Sequence, residues 1–415
     1  MKKSYEEFTL FDLIMPSYKI DQNKKLRLIT TFSGYDSQAL ALKYLGVKFE
    51  HYRTCEWAVK SIQALKDLHF DNDNTDYSKE FNLDYIYDYL YHKGISSNYN
   101  EPMTYDQIKR LGEQRARTIF NNIKSTKNMV NIQQVKGEDL GIVEKDKYEY
   151  LFTYSFPCQD LSLAGLRKGM KKGDSTRSGM LWEVERILDE CKELNTLPNI
   201  LFMENVPEVI GKNNIKDFQK WIEKLESLGY SNYVECLNSK DYGVPQKRNR
   251  CFMISILGEY SYKFPLPFKL KLRRKDLLES NVDEKYYLSK KNIQYILDMN
   301  DVALKSGRNI NNSVVNPNIA KTISCRGAAD QRADITNFVI DNLNQEISVK
   351  ELKDLLNKED LKIRKQTPRE DFRLMGVKDE DFDKIKKNQS DSSLYHLAGD
   401  SIVVDVMKYM FKNLL

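Results

Sequence analysis

Through the first 260 residues, short apolar, β-branched runs alternate with segments whose apolar positions recur at helical spacing. Lys25–Ser33 (KLRLITTFS) reads as a buried strand closed by Gly34, and Ser37–Leu45 as a helix with Gly46 just beyond it as a C-cap. Val47–Cys55 reads as a second strand ending at Glu56-Trp57, followed by a helix from Ala58 to Leu68. This β-α-β opening predicts an α/β protein built on a doubly wound, mostly parallel sheet.

Residues 70–130 are polar and rich in Asn and Tyr, and read as an insertion in that sheet. The alternation then resumes. Tyr148–Ser155 is a predicted strand running into Phe156-Pro157-Cys158-Gln159, Arg177–Cys191 a helix, and Asn199–Met203 a strand running into Glu204-Asn205-Val206. Asp217–Leu228 is a helix ended by Gly229, with Tyr233–Leu237 and Cys251–Ile256 as further strands. Beyond residue 260, proline, basic residues and irregular polar stretches predict a second, smaller domain over residues 261–394. The apolar periodicity of Ser401–Leu415 predicts a helix that returns to the first core, so the first domain comprises 1–260 plus 395–415.

The chain is 41% hydrophobic and 30% charged, which suits a soluble enzyme and excludes global disorder. No apolar run reaches the ~20 residues of a membrane helix, and the N-terminus lacks the apolar core of a signal peptide, so a cytoplasmic location is expected. The six cysteines and four histidines show no metal-ligand spacing, so no metal is expected. The net charge of +5 permits nucleic-acid binding without arguing for it. Charge does cluster: Ser261–Lys275 carries six cations, Lys263, Arg273 and Arg274 among them, and no acid.

Ligands of open parallel sheets bind beyond the carboxyl ends of the strands. Four clusters stand at such ends: Phe32-Ser33-Gly34, Glu56-Trp57, Pro157-Cys158-Gln159 and Glu204-Asn205-Val206. An acidic residue closing the second strand, as Glu56 does, commonly holds ribose hydroxyls, and Trp57 is placed to stack on an adenine. Cys158 offers a thiol nucleophile, which needs a lowered pKa and an acid or hydrogen-bonding partner for its substrate; Glu204 is the candidate. Arg248 and Arg250, two residues apart in an extended chain, would share one face and suit phosphate or carboxylate.

The order and identity of these clusters resemble the DNA cytosine-5 methyltransferases along nearly the whole chain. Phe32-Ser33-Gly34 resembles the family's S-adenosylmethionine-cradling motif, which extends the expected cofactor contacts to Tyr35 and Asp36. Glu56-Trp57 resembles its ribose and adenine pair, and Asp139 its adenine-contacting acid. Pro157-Cys158-Gln159, with Ser162 downstream, resembles the catalytic motif; Glu204-Asn205-Val206 the cytosine-recognising motif; and Gln246 to Arg250 the Gln-x-Arg-x-Arg motif. Thr367-Pro368-Arg369-Glu370 with Leu374-Met375-Gly376, and Gly399-Asp400-Ser401 with Ile402, resemble the last two. TYSFPCQDLS, TRSGMLWEVER and LFMENV are similar to the small bacterial methyltransferases of the mollicute type.

The resemblance implies a Rossmann-like methyltransferase sheet with an irregular target-recognition domain. It implies S-adenosylmethionine as cofactor and double-stranded DNA as partner, a monomer, and room for a cognate restriction endonuclease. Cys158 would add to carbon 6 of a flipped cytosine, Glu204 would hold ring nitrogen 3 and the exocyclic amine, and Arg250 the carbonyl. Arg248, Gln159 and Ser162 complete the expected catalytic set. Arg177, Thr322 and Arg326 join Lys263, Arg273 and Arg274 as expected DNA contacts. Asp36 and Asp400 depart from the family's glycine and asparagine, and both are expected near the cofactor. The rivals are a tRNA cytosine-5 methyltransferase and a non-catalytic DNA-binding relative. A zinc deaminase is set aside because its His-x-Glu and Pro-Cys-x-x-Cys spacing is missing.

Overall fold

Strand β1 (Lys25–Thr31) is buried along most of its length, because it lies inside the sheet with β2 (Phe49–Cys55) on one side and β3 (Tyr148–Tyr154) on the other. The computed structural model describes residues 15–157, 177–307, 313–326, 335–356 and 360–415. The sheet continues through β4 (Ile200–Asn205), and its far edge is a hairpin of β5 (Tyr230–Asn238) and β7 (Asn249–Leu257). Between the two hairpin strands lies β6 (Gln246–Lys247), which pairs outside this sheet with Ala320–Lys321. The order is β2-β1-β3-β4-β7-β5, and only β7 runs against the rest. The predicted doubly wound α/β sheet is therefore present.

Alternation along the strands sorts side chains onto two faces. Leu26, Leu28, Leu151, Ile200, Phe202 and Ile254 pack in one cluster, whereas Ile29, Phe152, Leu201, Met203 and Met253 pack in another. Helix α1 (Ser37–Tyr44) covers the first face, and α2 (Val59–His69) continues from β2 toward the insertion. The insertion is a small helical layer of α3 (Leu83–Lys93), α4 (Tyr105–Lys109) and α5 (Glu113–Ser125), with its own core around Ile86, Leu90, Ile119 and Phe120. Helices α6 (Leu181–Glu193) and α7 (Ile215–Ser227) cover the second face.

The later region has a separate, smaller core. Helices α8 (Lys290–Lys305) and α9 (Val349–Leu356) pack around Val315, Phe338, Ile340, Ile347 and Ile363, where the strands are only two or three residues long. The chain then returns to the sheet earlier than residue 395. Helices α10 (Pro368–Leu374), α11 (Asp379–Lys386) and α12 (Asp391–Gly399) bury Phe372, Leu374, Phe382, Ile385 and Leu394 in the first-face cluster. Helix α13 (Val404–Lys412) joins them through Met407 and Met410. No helix among the described residues is long and apolar enough to cross a membrane.

Candidate active site

From β1 the chain steps outward to β2 and then back across to β3, so the sheet order reverses beside β1. Such a reversal opens a crevice at the carboxyl ends of the strands. A cavity of about 360 Å³ lies there, within the range of small-molecule sites. All four parallel strands from β2 to β4 contribute their ends to it: Phe32–Tyr35 after β1, Cys55–Trp57 at β2, Ser155–Pro157 after β3, and Glu204–Val206 at β4. Because β7 is antiparallel, its first residues stand beside the last residues of β4, with Asn205 opposite Cys251. That register brings Arg250 to Glu204.

At one end of the cavity the turn after β1 is tied to β2 by Ser33, whose backbone N–H and hydroxyl both donate to the Cys55 carbonyl, at 3.2 and 3.3 Å. The Glu56 carboxylate accepts the backbone N–H groups of Gly34 and Ala58, each at 2.8 Å. Burial pushes its pKa up to about 7 against these amide donors, and the charge of Asp400 across the cavity adds to the rise. Gly34 has φ +56°, a conformation that glycine adopts without strain. Trp57, Val130 and Ile132 supply apolar walls nearby.

At the other end, Arg250 Nε lies 3.1 Å from Glu204 Oε1. Burial raises the Glu204 pKa, while Arg250 and Arg248 oppose the rise. Asn205 donates to the Phe156 carbonyl at 2.9 Å, which holds the segment leading to Pro157. Cys158, Gln159 and Ser162 lie outside the described residues, as does the side chain of Arg177.

Arg248 is buried and works as a clamp. Its guanidinium donates to the carbonyls of Ile323, Gly399 and Ser401 at 2.7–2.8 Å. It thereby joins the Thr322-Ile323 loop to the end of α12. The two backbones meet so closely that a Cβ on Gly399 would lie 2.1 Å from the Cys325 nitrogen, which only glycine avoids. Arg248 therefore binds backbone where a shared anion-binding face with Arg250 was expected, although both line the cavity.

Most of the residues expected to hold a cofactor line this space: Phe32, Ser33, Gly34, Tyr35, Glu56, Trp57, Pro157, Asp400, Ser401 and Ile402. Two expectations need correction. Asp36 is fully buried beneath the turn as the N-cap of α1, where Oδ1 accepts from Ala39 and Oδ2 sits 2.6 Å from His51. Burial works to raise its pKa, yet the His51 pairing holds it below the ordinary carboxylate value. Its charge is used inside the fold and does not line the cavity. Asp139 is exposed and turned away, its carboxylate capping the Lys136 N–H at 2.8 Å; Asn131–Gln133 line the cavity instead.

Sequence reasoning missed the contribution of the insertion. Tyr99, Asn100 and Pro102 line the cavity, as do Ser61, Gln38 and His396. No periodicity in the sequence marks them.

Among the expected DNA contacts, Lys263, Arg273, Thr322 and Arg326 are exposed. Thr322 donates its hydroxyl to the Lys247 carbonyl at 2.6 Å, and Lys263 lies beside Asn413 after α13. Arg274 does not reach the surface. It is 1% exposed and donates to the Phe338 carbonyl and Asn316, and burial lowers its pKa to about 10.

The sheet and its cavity define a Rossmann-like α/β fold with a ligand site at its strand ends. Solved structures share the architecture: S. pombe Dnmt2 methyltransferase (TM-score 0.60, 16% identity) and the Entamoeba histolytica methyltransferase EhMeth (0.60, 19%), each covering 94% of this chain and 98% of its own. At such identities the likeness shows the fold. The family follows from sequence. A profile of the C-5 cytosine-specific DNA methylases matches residues 105–415, and the chain belongs to that family. It is 34% identical to the type II methyltransferase M2.ScrFI of Lactococcus lactis subsp. cremoris, over 94% of this chain and 99% of that protein. It is 38% identical to the orphan methyltransferase M.SssI of Spiroplasma monobiae over 65% of this chain and 69% of that one. The chain is thus a DNA cytosine-5 methyltransferase with relatives among restriction–modification enzymes.

Proposed function

We propose that this enzyme methylates carbon 5 of a cytosine flipped out of a specific duplex DNA sequence, through a covalent adduct with Cys158. The observation that carries the reading is one continuous cavity bounded by Glu56 at one end and by the Glu204–Arg250 pair at the other, with Pro157, the residue before Cys158, in its wall. The first end fits S-adenosylmethionine: a carboxylate fixed by two amide donors suits a ribose diol, and Trp57 and Ile132 suit an adenine ring. When bound, that cofactor supplies an electrophilic methyl group.

The protein's own groups account for the rest. Cys158 adds as thiolate to carbon 6 of the base, breaking the 5,6 double bond and making carbon 5 nucleophilic. Glu204, whose pKa burial raises, hydrogen-bonds ring nitrogen 3 and stabilises the adduct, while the exocyclic amine donates back to it. Arg250, beside Glu204, hydrogen-bonds the base carbonyl. Loss of the carbon-5 proton and expulsion of Cys158 restore the ring. A stacked base cannot enter such a cavity, so the nucleotide must leave the helix, at a cost of roughly a few kcal/mol.

Residues between about 270 and 365, with their separate core, form the target-recognition domain in this reading. The segment from Thr367 onward belongs to the catalytic domain. Bisulfite sequencing of DNA from a host expressing the protein tests the proposal, with 5-methylcytosine expected in one sequence context. Methyl transfer to tRNA with none to duplex DNA would overturn it.

A further inference from the structure

The cavity holds a third carboxylate besides Glu56 and Glu204. Asp400 follows α12 and lines the same space as Glu56 and Glu204. One turn earlier, His396 places Nε2 3.0 Å from Asp400 Oδ2. The His396 ring lies against the ring of Tyr99, with centroids 3.9 Å apart and planes 31° from parallel. Tyr99 comes from the insertion and holds a positive φ of 64°. Asp400 is therefore backed by a stack that spans two elements distant in sequence. Its charge reaches both ends of the cavity, where it opposes ionisation of Glu56 and of Glu204.

We infer that Asp400 makes this cavity prefer a positively charged methyl donor over its neutral, demethylated product. The inference rests on the reading that S-adenosylmethionine lies with its ribose at Glu56 and the target base at Glu204. The transferred methyl must then occupy the interval between those residues, and Asp400 lines the same cavity within electrostatic reach of both. Donor and product share their adenosine, ammonium and carboxylate, so interactions with those groups cancel in a comparison. They differ in the sulfonium, which becomes an uncharged thioether when the methyl leaves. A carboxylate facing the sulfonium in a partly dehydrated cavity attracts the donor and is indifferent to the product. The same residue then favours loading before the reaction and release after it.

Binding of S-adenosylmethionine and of S-adenosylhomocysteine to the whole protein, measured by calorimetry at pH 8, tests this. Asp400→Asn should weaken the donor about 5- to 10-fold and leave the product within about twofold, which is the size expected for one screened charge. Asp400→Glu should restore the preference. The Asp400 side chain is half exposed, and an unchanged melting temperature of the ligand-free Asn variant checks that the fold survives. Equal weakening of both ligands, or no change in either, would overturn the inference while leaving the proposed function intact. Wild-type protein that binds neither ligand would overturn the reading of the cavity and the inference with it.

Discussion

Two arginine–glutamate pairs, one at the sheet end and one where the second region meets the first, use the same chemistry to opposite ends. Arg250 meets Glu204 through Nε at 3.1 Å, with side chains 17% and 10% exposed, and both residues line the cavity. Arg364 meets Glu370 through two parallel bonds of 2.9 Å, with both side chains fully buried. Arg364 also donates to Asp341 through Nε, and Glu370 accepts the N–H groups of Glu279 and Thr367. The second pair is saturated by protein and has no room for a ligand. The first lines the cavity, open to what the cavity would hold, as the proposed base-binding role requires. Saturation and access to a cavity, more than charge or burial alone, distinguish the two pairs.

The strongest way to test the functional side of that contrast is Cys158→Ala. It should lower methyl transfer by about 10⁴-fold or more while S-adenosylmethionine still binds, because the nucleophile is lost but the Glu56 end is untouched. Transfer assays and calorimetry on one preparation would check both parts. Unchanged transfer in this variant would remove the covalent route from consideration.

The strand ends that line the cavity were legible in sequence for a physical reason. Strands buried on both faces read as near-continuous apolar runs, so their ends can be located, and β1, β3 and β4 each hand over directly to a cavity residue. The second region offers no such guide. Its strands are two or three residues long, and its attachment to the sheet depends on buried charge. Arg273 and Arg274 look alike in sequence, yet one is exposed and the other sealed beneath Phe338 and Asn316. Tyr99 was illegible because its partner is His396, nearly three hundred residues further on. Asp36 and Asp139 were misjudged because short acids also cap turns and helices, and both do so here.

The structural pair should respond to substitution in stability. Arg364→Met leaves Glu370 buried without its partner and should cost about 3–5 kcal/mol. Replacing Glu370 with Gln in the same chain should recover part of that loss. Denaturant unfolding followed for both variants would check the coupling; additive losses would mean that the two side chains do not act as a pair.

A smaller effect separates the neighbouring arginines. Arg274→Met removes a buried donor and should destabilise by about 2 kcal/mol without altering the salt dependence of DNA binding. Arg273→Ala should leave the melting temperature in place and lower the slope of log affinity against log salt by about 1, as loss of one phosphate contact does. Thermal melts and a salt titration distinguish the two, and a salt effect from Arg274 would place it on the DNA surface after all.

The smallest effect lies at Glu56 and concerns pH. Its folded pKa is raised from the ordinary 4.5 to about 7, so between those values the folded state holds a proton that the unfolded chain has released. Its contribution to stability is therefore fully present below about pH 4.5 and declines as pH rises through about 7. Cofactor affinity should run the other way, because the ionised carboxylate is the better acceptor for ribose hydroxyls. Between pH 6 and 8 the wild type should bind S-adenosylmethionine several-fold more tightly, by about one proton's linkage at most, relative to Glu56→Gln. The same variant should flatten the fall in ligand-free stability over pH 5–7. If both profiles kept their slopes in Glu56→Gln, the open carboxylate at this end of the cavity would be as structural as the sealed one at Glu370.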